Sequence, residues 1–408
     1  MWVYRFYGYF KFYKMDVEKM RILWLSDSPM TVTGYATISW NICNKLAEAG
    51  HEVYFIGHNY IGQTIPKGLV LQDGTKFNFT ILGGSPQAYA QNLLMPYIKK
   101  YNIDVFGILL DTFMTYPWLL NFDFSPAKSI FYYPSDGGGG MPLGCENILK
   151  KVNCPVAMAR FGMRQVKELY GMDTKYIPHA IDTKIYYPLS KEEKEQCKIK
   201  FGLQGKYVVG VVARNQGRKM LDRTIKSFSL FCKDKPDAVL FMHTDPYDVA
   251  APFDMMNLIN RYKLNNRVIF SGMSFFNGFD YKKMNEVYNA MDCFLLTTSG
   301  EGFGVPILEA HACGIPTIAT DYTTTQELLI EDGQCGLPVK LASELTGSWN
   351  VERAIMDDNH CVECLNNLYF NKELREQFGN TGIEKVNKLY SWENVGKQWC
   401  SLIEELLK

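Results

Sequence analysis

Ser299-Gly300-Glu301-Gly302-Phe303-Gly304-Val305-Pro306-Ile307-Leu308-Glu309-Ala310 is the stretch on which the fold turns. It follows the apolar run Cys293–Thr297, which reads as a strand. Pro306 suits the first turn of a helix, because its missing N–H would have no partner there, and Gly314 suits that helix's C-terminal stop. Strand, glycine turn and helix in this order are the repeating unit of a parallel α/β sheet. The glycines at 302 and 304 let backbone approach a ligand closely, and the open N–H groups of a helix start bind phosphate. An anion site is therefore expected in this turn.

Glu301 precedes the turn and Glu309 lies about one helical turn beyond it, so a carboxylate flanks the phosphate position on either side. A nucleotide-sugar has the same order of ribose hydroxyls, diphosphate and sugar hydroxyls. The plainer assignment has Glu309 facing solvent and Glu301 capping the helix. Leu308, Ala310 and Ala312 argue instead for a largely buried helix, where a carboxylate needs a partner.

Working outward, the same alternation recurs. Strand-like runs at Tyr207–Val212, Ala238–His243, Arg267–Phe270 and Thr317–Ala319 complete a second-half sheet with Cys293–Thr297. Upstream, Ile22–Leu25 is followed by a break from Ser26 to Gly34, then by helical spacing of Ile38, Ile42, Leu46 and Ala49 that Gly50 stops. Val53–Ile56, Asp104–Leu110, Ile130–Tyr133 and Pro155–Ala159 continue a first sheet. The polar stretch Ser190 to Lys200, after Pro188, joins the two. The reading is an extension 1–19, a first α/β domain 20–188, a second 189–388, and a terminal helix in 389–408 that either caps the second sheet or crosses back to the first domain. Two Rossmann-like domains facing across a cleft would gather the C-terminal strand ends of both sheets around one ligand.

The length of 408 residues fits two domains. Lys plus Arg balances Asp plus Glu at 43 each, so no global field draws the chain to nucleic acid or an anionic membrane. The 11 cysteines are scattered without the spacing of a disulfide scaffold, which points to a reducing, cytoplasmic setting. Cys361 and Cys364 form a lone C-x-x-C in a segment, Glu352 to Leu374, of helical character, so packing thiols are expected rather than a metal site. No apolar run reaches the about 18 residues of a membrane span. The first 19 residues interleave aromatics with Arg5, Lys11 and Lys14 and lack the cleavage site and apolar core of a signal peptide; an extra strand or an extension upstream of a translation start at Met20 is favoured over an interfacial anchor, which would give at most peripheral membrane contact.

At this point the sequence resembles a known family. The E-x7-E spacing in EGFGVPILEAHACGIPTIATD is similar to the signature of the retaining glycosyltransferases of family four, which have the GT-B fold and work without a metal. Tyr176–Pro188 (YIPHAIDTKIYYP) resembles the family's segment at the end of the first domain, and Val211–Lys219 (VVARNQGRK) its basic diphosphate clamp. The resemblance implies a nucleotide-diphosphate-sugar donor with Arg214 and Lys219 on the diphosphate, Glu309 on the ribose and Glu301 on the transferred sugar. It implies backbone N–H groups from Gly304 and Val305, beside Gly302 and Phe303.

The loop Thr31–Tyr35 with Gly34 is similar to the family's glycine-containing loop near donor phosphate or acceptor. It is not G-x-G-x-x-G, which counts against a dinucleotide-dependent dehydrogenase. Many family members carry a histidine at the strand end that here reads Tyr132-Tyr133-Pro134-Ser135-Asp136, and Asp136 is the candidate replacement. Four consecutive glycines, 137–140, suggest a mobile or ligand-hugging loop, and His179 lies in the matched interdomain segment. The implied function is metal-independent, retaining transfer of a sugar to an acceptor hydroxyl on a glycan, lipid or protein. The acceptor is expected to be chosen by loops such as Asn59–Asp73 and Gly137–Gly144. The alternatives are a nucleotide-sugar epimerase or sugar phosphorylase on the same architecture, and a catalytically silent sugar-nucleotide or glycan-binding protein.

Overall fold

A computed structural model describes residues 19–31, 33–70, 76–248, 251–274, 278–406 and 408. The extension 1–18, Val32 of the loop before the first helix and residues 71–73 of the Asn59–Asp73 loop lie outside the described residues.

The first sheet contains β1 (Arg21–Ser26), β2 (Glu52–Gly57), β3 (Thr80–Ile81), β4 (Val105–Ile108), β5 (Lys128–Tyr133), β6 (Cys154–Ala157) and β7 (Lys175–Tyr176). They lie in the order β3-β2-β1-β4-β5-β6-β7, every pair parallel. The second contains β8 (Tyr207–Val212), β9 (Ala238–His243), β10 (Val268–Phe270), β11 (Cys293–Leu296), β12 (Thr317–Thr320) and β13 (Gly336–Val339), in the order β10-β9-β8-β11-β12-β13. Both orders reverse direction beside their first strand, and such reversal points open a crevice at the strand C-termini. Two-sided burial explains the unbroken apolar runs: Ile22, Leu23, Trp24 and Leu25 are all fully buried. Trp24 keeps its polar tip satisfied through Nε1 to Ser39 Oγ at 3.0 Å.

Helices cover both faces. The Gly34–Glu48 helix starts on Thr33, whose side chain accepts from the Ala36 N–H. The joining segment forms the Lys191–Lys200 helix, fixed by a capping box between Ser190 and Glu193. The terminal helix Trp392–Leu406 crosses back to the first domain, where Trp399 packs edge-on against Trp24 at 5.5 Å and Tyr132 at 4.9 Å. The chain thus passes between domains twice, and the crossings are tied by the Ile181 N–H to the Tyr390 carbonyl at 2.9 Å.

One element departs from expectation. Glu352–Met356 is β15, a strand paired antiparallel with β14 (Leu341–Thr346), and the helix expected from Glu352 is the Asp358–Phe370 helix. Asp357 ends the strand by accepting from the N–H groups of Asn359 and His360. Cys361 and Cys364 lie on that helix's buried face as packing thiols. Among the described residues no group of three His, Cys, Asp or Glu is placed to hold a metal, and no helix is long and apolar enough to cross a membrane.

Candidate active site

The C-terminal ends of β1, β4, β5 and β6 meet those of β8 and β11 around a cavity of about 550 Å³. The first domain contributes Asp27, Gly34, Tyr35, Asp111, Asp136 and His179; the second contributes Arg218, Lys219 and Glu301 through Pro306. A larger groove, about 930 Å³ between the Gly34–Glu48 and Trp392–Leu406 helices, lies apart from these groups.

Glu301 is the electrostatic centre. It is 4 % exposed, and its oxygens take Lys219 Nζ at 2.5 Å and Arg218 Nη1 at 2.7 Å. Burial alone would raise this carboxyl; the two cations outweigh it and hold the group down at about 2. Burial lowers the Lys219 ammonium, with Glu301 opposing. Arg218 owes its place to backbone stitching, since the Ser299 N–H donates to its carbonyl at 2.7 Å and Thr298 Oγ1 at 3.1 Å. Arg214 lies outside the cavity lining and pairs with Asp248 at 3.2 Å, so the cation beside Lys219 in the cleft is Arg218. Three residues beyond Arg214 the chain enters the Gly217–Lys219 turn, which redirects the following side chains inward.

The turn quoted at the outset has the expected form. Gly304 takes a φ of +105°, a left-handed value that a side chain disfavours, and a Cβ there would meet Leu328 Cδ1 at 3.1 Å. The Val305–Ala312 helix then begins with Pro306 in its first turn. The N–H groups of Gly302, Phe303, Gly304 and Val305 take no acceptor among the described residues, and all four residues line the cavity. The Phe303 ring turns inward, 4.9 Å from His179. Glu309, in contrast, is not in the cavity lining: it accepts from Tyr288 Oη at 2.5 Å and adjoins Tyr186. Burial pushes its carboxyl up to about 7, against the lowering effect of the two tyrosines.

In the first domain Asp136 faces the cavity while Arg353 of β15 holds its Oδ1 at 3.0 Å. The four glycines beyond it serve a different purpose from the ligand loop expected. The Gly138 N–H meets Tyr322 Oη at 2.8 Å, its carbonyl takes the Glu352 N–H at 2.9 Å, and Gln165 donates to the Gly137 carbonyl at 2.9 Å. A Cβ on Gly137 would lie 2.5 Å from the Glu352 carbonyl oxygen, so these glycines allow the two domains' backbones to touch. Gly34 has open space where a Cβ would point, into the same cavity. Two carboxylates escaped the sequence reading. Asp27 is held by His58 Nε2 at 2.8 Å and Thr33 Oγ1 at 2.5 Å, and Asp111 accepts from Tyr35 Oη at 2.8 Å. Each follows a strand, but lone aspartates at strand ends are too common to mark a site without the fold.

Residues 193–384, nearly the whole second domain with its Glu301, Arg218 and Lys219 cluster, match the family model described as glycosyl transferases group 1. The second domain is thus similar to the glycosyl transferases group 1 family. The chain is similar to a mannosylfructose-phosphate synthase of Agrobacterium fabrum, 28% identical over 247 residues, 58% of this chain and 49% of that protein. The chain thus spans about half the length of this curated relative. Beyond the second domain, the whole fold is shared with a sucrose-phosphate synthase from Thermosynechococcus elongatus (TM-score 0.75, 18% identity, 95% of this chain and 99% of that one). It is shared as well with Anabaena Alr3699/HepE in complex with UDP-glucose (TM-score 0.72, 14% identity, 95% and 100%). The architecture is GT-B: two parallel-sheet α/β domains across a cleft.

Proposed function

We propose that the chain is a retaining glycosyltransferase that moves a sugar from a nucleoside-diphosphate-sugar to an acceptor hydroxyl without a metal. The observation that carries this reading is the buried Glu301, clamped by Arg218 and Lys219 beside four open backbone N–H groups in the interdomain cleft. An incoming diphosphate competes for the two cations and for the helix start, and Glu301 is then released to take hydroxyls of the transferred sugar. Two charge-assisted donors with a helix N-terminus stabilise the leaving diphosphate where a divalent ion would otherwise serve. The Anabaena protein's UDP-glucose makes a UDP-sugar the first donor to try.

Retention is supported by the family resemblance. The departing diphosphate, on the same face as the incoming hydroxyl, accepts its proton. Glu309 lies beyond the helix start from Glu301, the side on which the ribose would extend. The test is thermal shift with UDP-, GDP-, ADP- and dTDP-sugars in the absence of metal, followed by NMR of the anomeric product. Donor stabilisation that Lys219→Ala abolishes supports the site. No stabilisation by any donor moves the chain to the silent binders or to other chemistry, and an inverted anomer removes the retaining assignment.

A further inference from the structure

The two walls of the cavity differ in what they offer a ligand. Every cation in the lining, Arg218 and Lys219, comes from the second domain and is turned to Glu301. The ionisable groups on the first-domain wall are Asp27, Asp111, Asp136, Tyr35 and His179. Tyr35 spends its proton on Asp111 Oδ1. Asp27 uses both oxygens on His58 and Thr33, whereas Asp111 and Asp136 each engage only Oδ1 among the described residues.

His179 adds an independent observation. It is 4 % exposed and lines the cavity, and Nδ1 lies 2.8 Å from Tyr132 Oη. Tyr132 has one hydroxyl proton, and a 2.9 Å contact to the Ile177 carbonyl claims it, since a carbonyl only accepts. Nδ1 must therefore carry the ring hydrogen and donate to Tyr132. Nε2 is left with a bare lone pair and no partner among the described residues. Burial keeps the ring neutral, with a pKa lowered to about 3. The wall is thus a set of hydrogen-bond acceptors: Asp111 Oδ2, Asp136 Oδ2 and His179 Nε2.

Resting on the glycosyl-transfer reading above, we propose that this wall receives the acceptor as a neutral, polyhydroxylated saccharide without phosphate at the end that enters the cavity, and that His179 Nε2 takes a hydrogen bond from one of its hydroxyls. Hydroxyls supply the donors such a wall lacks. A phosphate would set its oxygens against aspartates whose nearby cations are already engaged, Arg353 by Asp136 and Arg218 by Glu301, and like charges left unpaired in a cleft are excluded at a cost.

The experiment pairs each neutral saccharide with its phosphate, glucose with glucose 6-phosphate, fructose with fructose 6-phosphate and mannose with mannose 6-phosphate, adding maltose and mannobiose. All are presented to the full chain with the nucleotide-sugar that stabilises it. The expected result is a kcat/KM at least tenfold higher for the neutral member. Asp111→Asn should shrink that ratio to under threefold. His179→Phe should raise acceptor KM at least tenfold with the donor-induced thermal shift retained, and His179→Gln, whose carbonyl can accept, should recover much of it. Preference for the phosphorylated member, or no transfer to any saccharide while donor stabilisation is intact, overturns the proposal. An unchanged acceptor KM in His179→Phe overturns the histidine's part. Loss of donor stabilisation in the wild type instead removes the glycosyl-transfer reading beneath it.

Discussion

Arg214 and Arg218 stand four residues apart, and only the second faces Glu301. A charge-assisted hydrogen bond contributes about 1.5–3 kcal/mol. Arg218→Ala is therefore expected to weaken donor binding by roughly ten- to a hundredfold, while Arg214→Ala changes it by less than about threefold; titration calorimetry with the best donor separates the two. Glu309 supports a different measurement. Its carboxyl is raised from the usual 4.5 to about 7, so between these values the folded state holds a proton that the unfolded chain has released. Stability is then unaffected below the lower value, falls as pH rises through the window and stays reduced above it. Glu309→Gln, which can still accept from Tyr288, should raise the melting temperature at pH 8 and leave it nearly unchanged at pH 4.

The strands β8 and β9 coincide with their apolar runs, because a strand buried on both faces must be apolar throughout. The glycine turn was equally legible, since Pro306 and Gly304 each permit few alternatives. Gly304→Ala is expected to cost about 1–3 kcal/mol by forcing a side chain into a left-handed conformation, visible as a lowered denaturant midpoint. Other elements left little trace. The edge strands β3 and β7 have two residues each, too few for periodicity, and β14 alternates nothing because its last five residues are exposed. At the site, Glu301 and the helix start could be named from local order, and Lys219 from the resemblance. Asp27, Asp111 and the lone pair of His179 could not, because what makes them matter is a neighbour from a distant segment: His58, Tyr35 and Tyr132.

Across the whole molecule, the β14–β15 hairpin grips the first domain. Arg353 holds Asp136, Glu352 bridges Gly138, and Trp349 stacks on Phe113 at 5.5 Å. On the opposite flank Glu327 accepts the Arg160 N–H at 2.6 Å and the Tyr176 hydroxyl. Breaking the first grip should let the cleft open about the second. Arg353→Ala is expected to enlarge the radius of gyration in small-angle scattering and to raise donor KM more than it lowers the melting temperature. An unchanged scattering profile would show that the hairpin does not hold the domains together.

Trp399 fills a layer that Trp24 begins, and that pairing reaches beyond the finished molecule. During synthesis the ribosome delivers Trp24 and Tyr132 long before Trp399. The nascent first half therefore waits with a bare aromatic face while the second half is made. Such a chain calls for a holding chaperone through that interval. An amino-terminal half expressed by itself inherits the same uncovered surface, and should aggregate unless the missing helix is supplied as a peptide.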